Sequence, residues 1–219
     1  MKNRKGTVLI VIGLLLMVAA LLLVLYNVWD NYRAGTDSDS VLERLIPQID
    51  GDPVPPGGRW TGDRKDADGG RISEYEYPDY ELNPDMDMPV KNVDGTDFIG
   101  VISIPSIGRE LPVSAECDLD KLRIAPCRYS GSVYLNNMVI CAHNYVVQFG
   151  PIGNLRYGDE VVFTDVDGNE FRYRVAQVET LRPGEVERMV KSEWDLTLFT
   201  CTLFRTTRLT VRCEAIESN

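Results

Sequence analysis

The chain has 219 residues, 44% hydrophobic and 26% charged, enough for one ordinary domain with appendages. Its formal charge of −10 argues against a nucleic-acid backbone as partner and leaves basic or neutral partners open. It carries no glycine-rich phosphate loop, no Cys-x-x-Cys pair and no His-x-x-x-His. A zinc set drawn from Cys141, His143, Cys201 and Cys213 would need an unusual Cys-x-His spacing.

Residues 1–6 hold Lys2, Arg4 and Lys5 and no acid, and Val8 to Tyr26 is an uncharged apolar run. At 1.5 Å per residue, a run of about 20 residues matches a hydrocarbon core of about 30 Å. The run ends in Tyr26-Asn-Val-Trp29, an interfacial aromatic pair, with no Ala-x-Ala pattern after it. Residues 7–28 therefore read as an uncleaved transmembrane anchor. The basic residues before the run keep residues 1–6 in the cytoplasm, so Asp30 onward lies outside. The outer portion, with 20 basic against 33 acidic residues, carries about −13.

Residues 29–97 read as a stalk and arm. Within them, Val41, Leu42, Leu45, Ile46 and Ile49 have helical spacing behind Ser40 as a possible N-cap. Asp50 to Arg71 is heavy in Gly, Pro and Asp. It offers too little apolar surface to offset ordering entropy, so a linker is expected. From Ser73 to Val90, Tyr75, Tyr77, Tyr80, Leu82, Met86 and Met88 interleave with acids, and three prolines forbid a long helix. This segment is expected to be either an extended arm lying on the following domain and covering its cleft, or a merely disordered arm.

Residues 98–219 have the texture of a β domain: short strands with turn signals between them. Strands are expected at Ile99–Ile104, Glu110–Val113, Val133–Tyr134 and Met138–Ala142, the last two around Asn136-Asn137. Glu160–Asp165 and Glu170–Val178 form a hairpin about Asp167-Gly168. A helical turn is expected over Leu119–Ala125 and a helix over Gly184–Lys191. Leu196–Cys201 and Arg208–Ala215 close the chain. About eight strands with few helices predict a closed or half-closed, antiparallel-rich barrel.

Leu196-Thr-Leu-Phe-Thr-Cys201 alternates as a strand and ends on a thiol, where the chain opens toward solvent. His143, the only histidine, sits at the end of another apolar run, Met138-Val-Ile-Cys-Ala142. One thiol and one imidazole at strand exits make the minimum set for nucleophilic catalysis by cysteine. A buried, inert Cys201 is the competing reading.

The motifs in order resemble those of sortases, the membrane-anchored cysteine transpeptidases of Gram-positive cell surfaces. They are Ile99-Gly-Val-Ile-Ser-Ile-Pro105, Leu111-Pro-Val113, Ile140-Cys-Ala-His-Asn144, Gly158-Asp-Glu160, Thr197-Leu-Phe-Thr-Cys201 and Arg208-Leu-Thr-Val211. The resemblance covers residues 98–216 and implies the eight-stranded sortase β-barrel with short helices, a mainly β fold after one N-terminal transmembrane helix. The family usually has Gly where this chain has Ala142. The segment after Cys201 also offers Arg205 and Arg212 as rivals to Arg208. No second hydrophobic segment follows the domain, which points to a housekeeping-like, class B-like or class D-like member over a pilin polymerase.

By this resemblance, Cys201 is the nucleophile toward a Leu-Pro-x-Thr-Gly-like sorting peptide of a secreted protein, and His143 is the general acid and base. Arg208 is the oxyanion donor. The acceptor is a peptidoglycan precursor or a lysine of another protein. No cofactor is required; some relatives bind Ca²⁺ beside the cleft, but no ligand set for it stands out here. Two other functions fit the same residues: a surface cysteine hydrolase that delivers the acyl group to water, and a membrane-tethered binding domain without activity. Cys117, Cys127, Cys141 and Cys213 are either two disulfides or buried thiols.

Overall fold

The structure, a computed structural model, describes residues 4–49, 57–65, 71–118, 120–191, 193–202 and 206–216. Its first element is one uninterrupted helix, α1 (Arg4–Leu45), which runs through the apolar segment and far past Trp29. It is the one helix among the described residues long and apolar enough to cross a membrane. Leu9 to Trp29 expose their side chains, as a span surrounded by lipid would. Beyond Asp30 the helix persists through polar residues because one side of it packs: Ala34 and Ser38 are buried, and Gly35 lies against Val147. Val41, Leu42 and Leu45 then enter an apolar cluster with Val93, Phe98, Val101, Ala125 and Val166. Each such side chain contributes about 1.5–3 kcal/mol by leaving water. The helix expected around residues 40–49 is therefore the end of α1, followed by a 3₁₀ turn (Ile46–Gln48) with Pro47 in its first turn.

The expected linker contains an antiparallel hairpin, β1 (Arg59–Lys65) with β2 (Arg71–Glu76). The remainder of that linker, 50–56 and 66–70, lies outside the described residues. The arm that follows packs on the domain as expected. Its short helix α2 (Asp79–Leu82) presents Tyr80, which stacks on Tyr134 with centroids 4.9 Å apart and touches Phe171 at 5.3 Å. Met88 is buried in the main core, and Met86 packs at its edge.

The domain is a nine-stranded sheet. β3 (Lys91–Val93) pairs with the start of β4 (Thr96–Ile104). After β5 (Arg109–Ser114), β6 (Cys127–Ser130), β7 (Met138–Ala142), β8 (Glu160–Asp165), β9 (Glu170–Leu181), β10 (Leu196–Cys201) and β11 (Arg208–Ala215), the order is β4-β5-β6-β7-β10-β11-β9-β8. β8 pairs back onto β4, which closes eight strands into the expected barrel. The closure brings two backbones together at Gly100, where φ is 155° and an added Cβ would lie 2.1 Å from the Thr164 carbonyl oxygen. Only glycine fits there. The interior is filled by Ile99, Ile102, Ile140, Phe163, Leu198 and Val211, among others.

Two expectations shift. Val133–Leu135 is a 3₁₀ turn rather than a strand, because the Ser132 hydroxyl accepts from Tyr134 N and Asn136 takes a left-handed conformation. The helical stretch before Trp194 shortens to α3 (Val186–Val190). The β8–β9 hairpin is held by buried Asp165, whose carboxylate accepts from Asp167 N, Asn169 N, Asn169 Nδ2 and the Tyr134 hydroxyl. Cys117 and Cys127 form a disulfide, while Cys141 and Cys213 are free thiols. Cys213 sits opposite Leu196 and joins the barrel core, whereas Cys141 sits opposite Phe199 on the outer face. The sheet separates them, so a second bridge between these two cannot form.

Tyr134 and Phe171 lie where β7 and β9 begin, at the barrel end where β10 starts. The described part of the arm therefore caps the end opposite Cys201. Replacing both Tyr80 and Met88 with alanine should cost about 3–5 kcal/mol through a core cavity and lost ring contacts. A urea titration should show the midpoint falling. An unmoved midpoint would mean that the arm merely rests on the surface.

Candidate active site

The site is built by register. β10 runs parallel to β7, with Leu196 opposite Met138 and Thr200 opposite Ala142. The pairing ends there, and the next residues on the two chain exits are Cys201 and His143, with neighbouring strands about 4.8 Å apart. On its other side β10 is antiparallel to β11, and Cys201 is paired with Arg208. Side chains directly across a ladder share a face, so the thiol and the guanidinium lie together on the outer face of the barrel, and His143 follows β7 with the parity of the outer-facing Cys141. The inner-face residues Leu196, Leu198, Met138, Ile140 and Val211 remain in the core. Cys201, His143 and Arg208 are each half-buried.

The two threonines before Cys201 act differently. Thr200 is buried and its hydroxyl donates to the Ala142 carbonyl at 2.9 Å, which ties the exit of β10 to the exit of β7. Thr197 accepts from Arg212 Nη1 at 2.9 Å, two layers below Cys201 on the outer face. Beyond the strands, Thr202 N donates to the Thr207 carbonyl at 3.1 Å, and their hydroxyls meet at 2.8 Å. The hairpin therefore continues one pair past Cys201 and Arg208. Arg205, one of the rival arginines, lies outside the described residues.

Arg212 is placed where it cannot reach the thiol. It is 1% exposed. Its guanidinium donates to Glu179 Oε1 at 2.9 Å, Thr197 Oγ1 at 2.9 Å and the Arg188 carbonyl at 2.7 Å, with a longer bond to the Met189 carbonyl. This set fixes α3 against the barrel. A cavity of about 420 Å³ beside it is lined by Gln177, Glu179, Arg188, Lys191, Trp194 and Arg212, at the far end of the same face from Cys201. Arg208 instead stands at the open end, opposite Cys201 on one side and Leu181 on the other.

Apolar groups frame the thiol. Phe199 is buried with Val139, Leu181 and Met189, and Tyr129 meets its ring edge-on at 5.2 Å. Cys141 lies in the same patch. Its thiol is pushed up to about 12, first by burial and then by Cys201, against an opposing pull from Arg208. Burial pushes the Cys213 thiol up to about 12 as well. A raised thiol pKa means the neutral form prevails below it, so at pH 8 these two are ionised in about one molecule in 10⁴. Iodoacetamide at pH 8 should therefore alkylate Cys201 in the folded chain while sparing Cys141 and Cys213. Earlier labelling of Cys141 would contradict this ordering. A metal shared by Cys141, His143, Cys201 and Cys213 is ruled out by geometry, since Cys213 faces the barrel interior.

The loop after His143 supplies residues that the sequence reading missed. Gln148 is fully buried; its Oε1 accepts from His143 N at 3.1 Å and its Nε2 donates to the Leu122 and Arg123 carbonyls. Phe149 N donates back to the His143 carbonyl at 3.2 Å. The backbone of His143 is thus gripped from both sides, and its ring lies 5.0 Å from that of Tyr145. A lone amide between Val147 and Phe149 was the available signal.

Residues 102–216 match the family profile described as the sortase domain. No curated protein matches the chain significantly. Among solved structures, the chain is similar to sortase C1 from Streptococcus agalactiae, at 24% identity over 58% of this chain and 72% of that one, with a TM-score of 0.51. It is similar to sortase C from Streptococcus pneumoniae at 27% identity, over 58% of this chain and 69% of that one, with a TM-score of 0.50. It also covers 66% of the sortase C1 of GBS Pilus Island 1, at 24% identity over 56% of this chain and a TM-score of 0.48.

Proposed function

The chain belongs to the sortase family, and from that premise we propose that it is a cysteine transpeptidase using Cys201, His143 and Arg208. The observation that supports this reading is the pairing of Cys201 with Arg208, together with the parallel exits of β10 and β7, which pair at Thr200 and Ala142 immediately before Cys201 and His143. The proposed substrate is a Leu-Pro-x-Thr-Gly-like sorting peptide on a secreted protein. The Cys201 thiolate attacks the Thr carbonyl carbon, and Arg208 donates to the oxygen that becomes negative. As the Thr–Gly bond breaks, His143 gives its proton to the departing glycine amine, leaving a thioester on Cys201. His143 then takes a proton from an incoming amine, which attacks the thioester and releases the Cys201 thiolate. No cofactor enters these steps.

The apolar part of α1 would hold the protein in the cell membrane, with residues 1–6 cytoplasmic and the barrel outside. The acceptor defines the class. A class B-like or class D-like enzyme would transfer to a cell-wall amine. The pilin substrate specificity of the sortase C from Streptococcus pneumoniae favours a second candidate, another protein, whose amine would be a lysine. The full chain in detergent micelles, given a sorting peptide with and without a peptidoglycan-like amine or a lysine peptide, tests the proposal. Transfer to an amine supports it and identifies the acceptor. Cleavage to the free acid in the presence of either amine would make the chain a hydrolase, and inertness toward a panel of sorting peptides would leave only a binding domain.

A further inference from the structure

The membrane-proximal part of α1 docks on the loop that carries His143. Asp30, one residue after the interfacial Trp29, accepts the Tyr145 hydroxyl on Oδ2 at 2.7 Å and pairs through Oδ1 with Arg123 Nη2 at 2.8 Å. Asn31 Oδ1 accepts from Val146 N at 2.9 Å. The Val146 carbonyl, in the next peptide group, accepts from Arg109 Nε and Nη2 at 3.1 and 2.8 Å. One turn further along, α1 comes so close that a Cβ on Gly35 would sit 3.2 Å from Val147 Cγ1. These contacts fix the backbone of 145–147. The Tyr145 ring is then held by its own hydroxyl bond at one end and lies against the His143 imidazole at 5.0 Å, tilted by 47°.

We propose that Asp30 and Tyr145 are positioning residues for His143, so that the helix leaving the membrane forms the back wall of the active site. The proposal rests on the transpeptidase reading for its kinetic consequence and on the geometry alone for its structural one. An imidazole that must face the leaving amine and then the incoming one needs a fixed ring plane. Gln148 and Phe149 fix only the backbone of His143, whereas Tyr145 meets the ring itself. The Tyr145 hydroxyl is pushed above its ordinary value, first by burial and then by its bond to Asp30, so it remains a donor at neutral pH. The Asp30 carboxyl is only 16% exposed and is shared between a tyrosine and an arginine from two separate segments. That arrangement is more than a helix needs merely to dock.

Because His143 is the only histidine, the full chain labelled at histidine and held in detergent micelles gives a single imidazole signal. Tyr145→Phe removes one hydroxyl and keeps the ring; Asp30→Ala removes the acceptor; Asp30→Asn retains an acceptor oxygen. Tyr145→Phe and Asp30→Ala are expected to shift and broaden the His143 signal and to lower kcat by about ten- to a hundredfold, with KM for the peptide unchanged. Asp30→Asn should recover most of both losses. A His143 signal and kcat that stay at wild-type values in Tyr145→Phe and Asp30→Ala, or a rise in KM alone, would overturn the proposal. If the wild-type chain transfers no peptide, the transpeptidase reading fails, and the His143 signal still decides the positioning role on its own.

Discussion

Cys201→Ala should leave no detectable peptide transfer, a loss on the order of 10⁶-fold by comparison with removal of the nucleophile from a serine protease. Little else should change. Cys201 is the last residue of β10, half-buried, and its neighbours are held without it: Thr200 by Ala142 and Thr202 by Thr207. Trimming one small side chain at a strand exit leaves the core intact, so the melting midpoint of the variant should stay close to that of the parent. Neither Cys141 nor Cys213 can substitute. Both thiols are pushed up to about 12, and Cys213 points into the barrel. Residual transfer within tenfold of wild type would place the chemistry on another residue.

The second large effect separates two arginines that share a strand face. Arg208→Ala should lose about 10²–10³ in kcat, or roughly 3–4 kcal/mol of transition-state stabilisation, as expected for a single positioned oxyanion donor. Stability should hardly move, because Arg208 is half-buried and its bond to the Thr207 carbonyl is a long one, 3.4 Å. Arg208→Lys should recover little, since an ammonium lacks the planar fork of donors. Arg212→Ala should behave the other way. It strips the partners from Thr197 and two α3 carbonyls and leaves Glu179 with Arg188 as its remaining pair. A loss of about 3 kcal/mol in folding stability is expected. Steady-state transfer and urea titration on the three variants separate the roles. A crippled but stable Arg212→Ala, beside a fully active Arg208→Ala, would reverse the assignment.

That choice of arginine shows where reading the sequence stops. Alternation along Arg208-Leu-Thr-Val-Arg212 gives both arginines the same face, and only the pairing of Cys201 with Arg208 and the seat of α3 over Arg212 distinguish them. β10 and β11 were legible because each alternates and carries a marked residue at one end, and β7 because it is a short apolar run that stops before His143. β6 and β3 were not. Cys127–Ser130 and Lys91–Val93 are short and mixed, and their strand character comes from the neighbours they pair with. The continuation of α1 through Asp30 to Asp39 was hidden for the same reason. Its Asn, Gly, Thr, Ser and Asp residues are poor helix formers, and the helix there leans on Tyr145, Val146 and Val147. The arm was read as lying on the domain, which Tyr80 and Met88 bear out. Which end of the barrel it caps depends on long-range pairing that no local pattern encodes.

The roles proposed for Cys201 and His143 rest on a motif resemblance, and the register sets the two strand exits that lead to them side by side. The most direct test is to trap the full chain with a sorting peptide in the absence of any amine and map the acylated residue by mass spectrometry of its fragments. The expected result is a thioester carried on Cys201 that disappears, with formation of the amide product, when an amine is added. Acylation at Cys141 or Cys213 instead, or an adduct on Cys201 that no amine can discharge, would contradict the account.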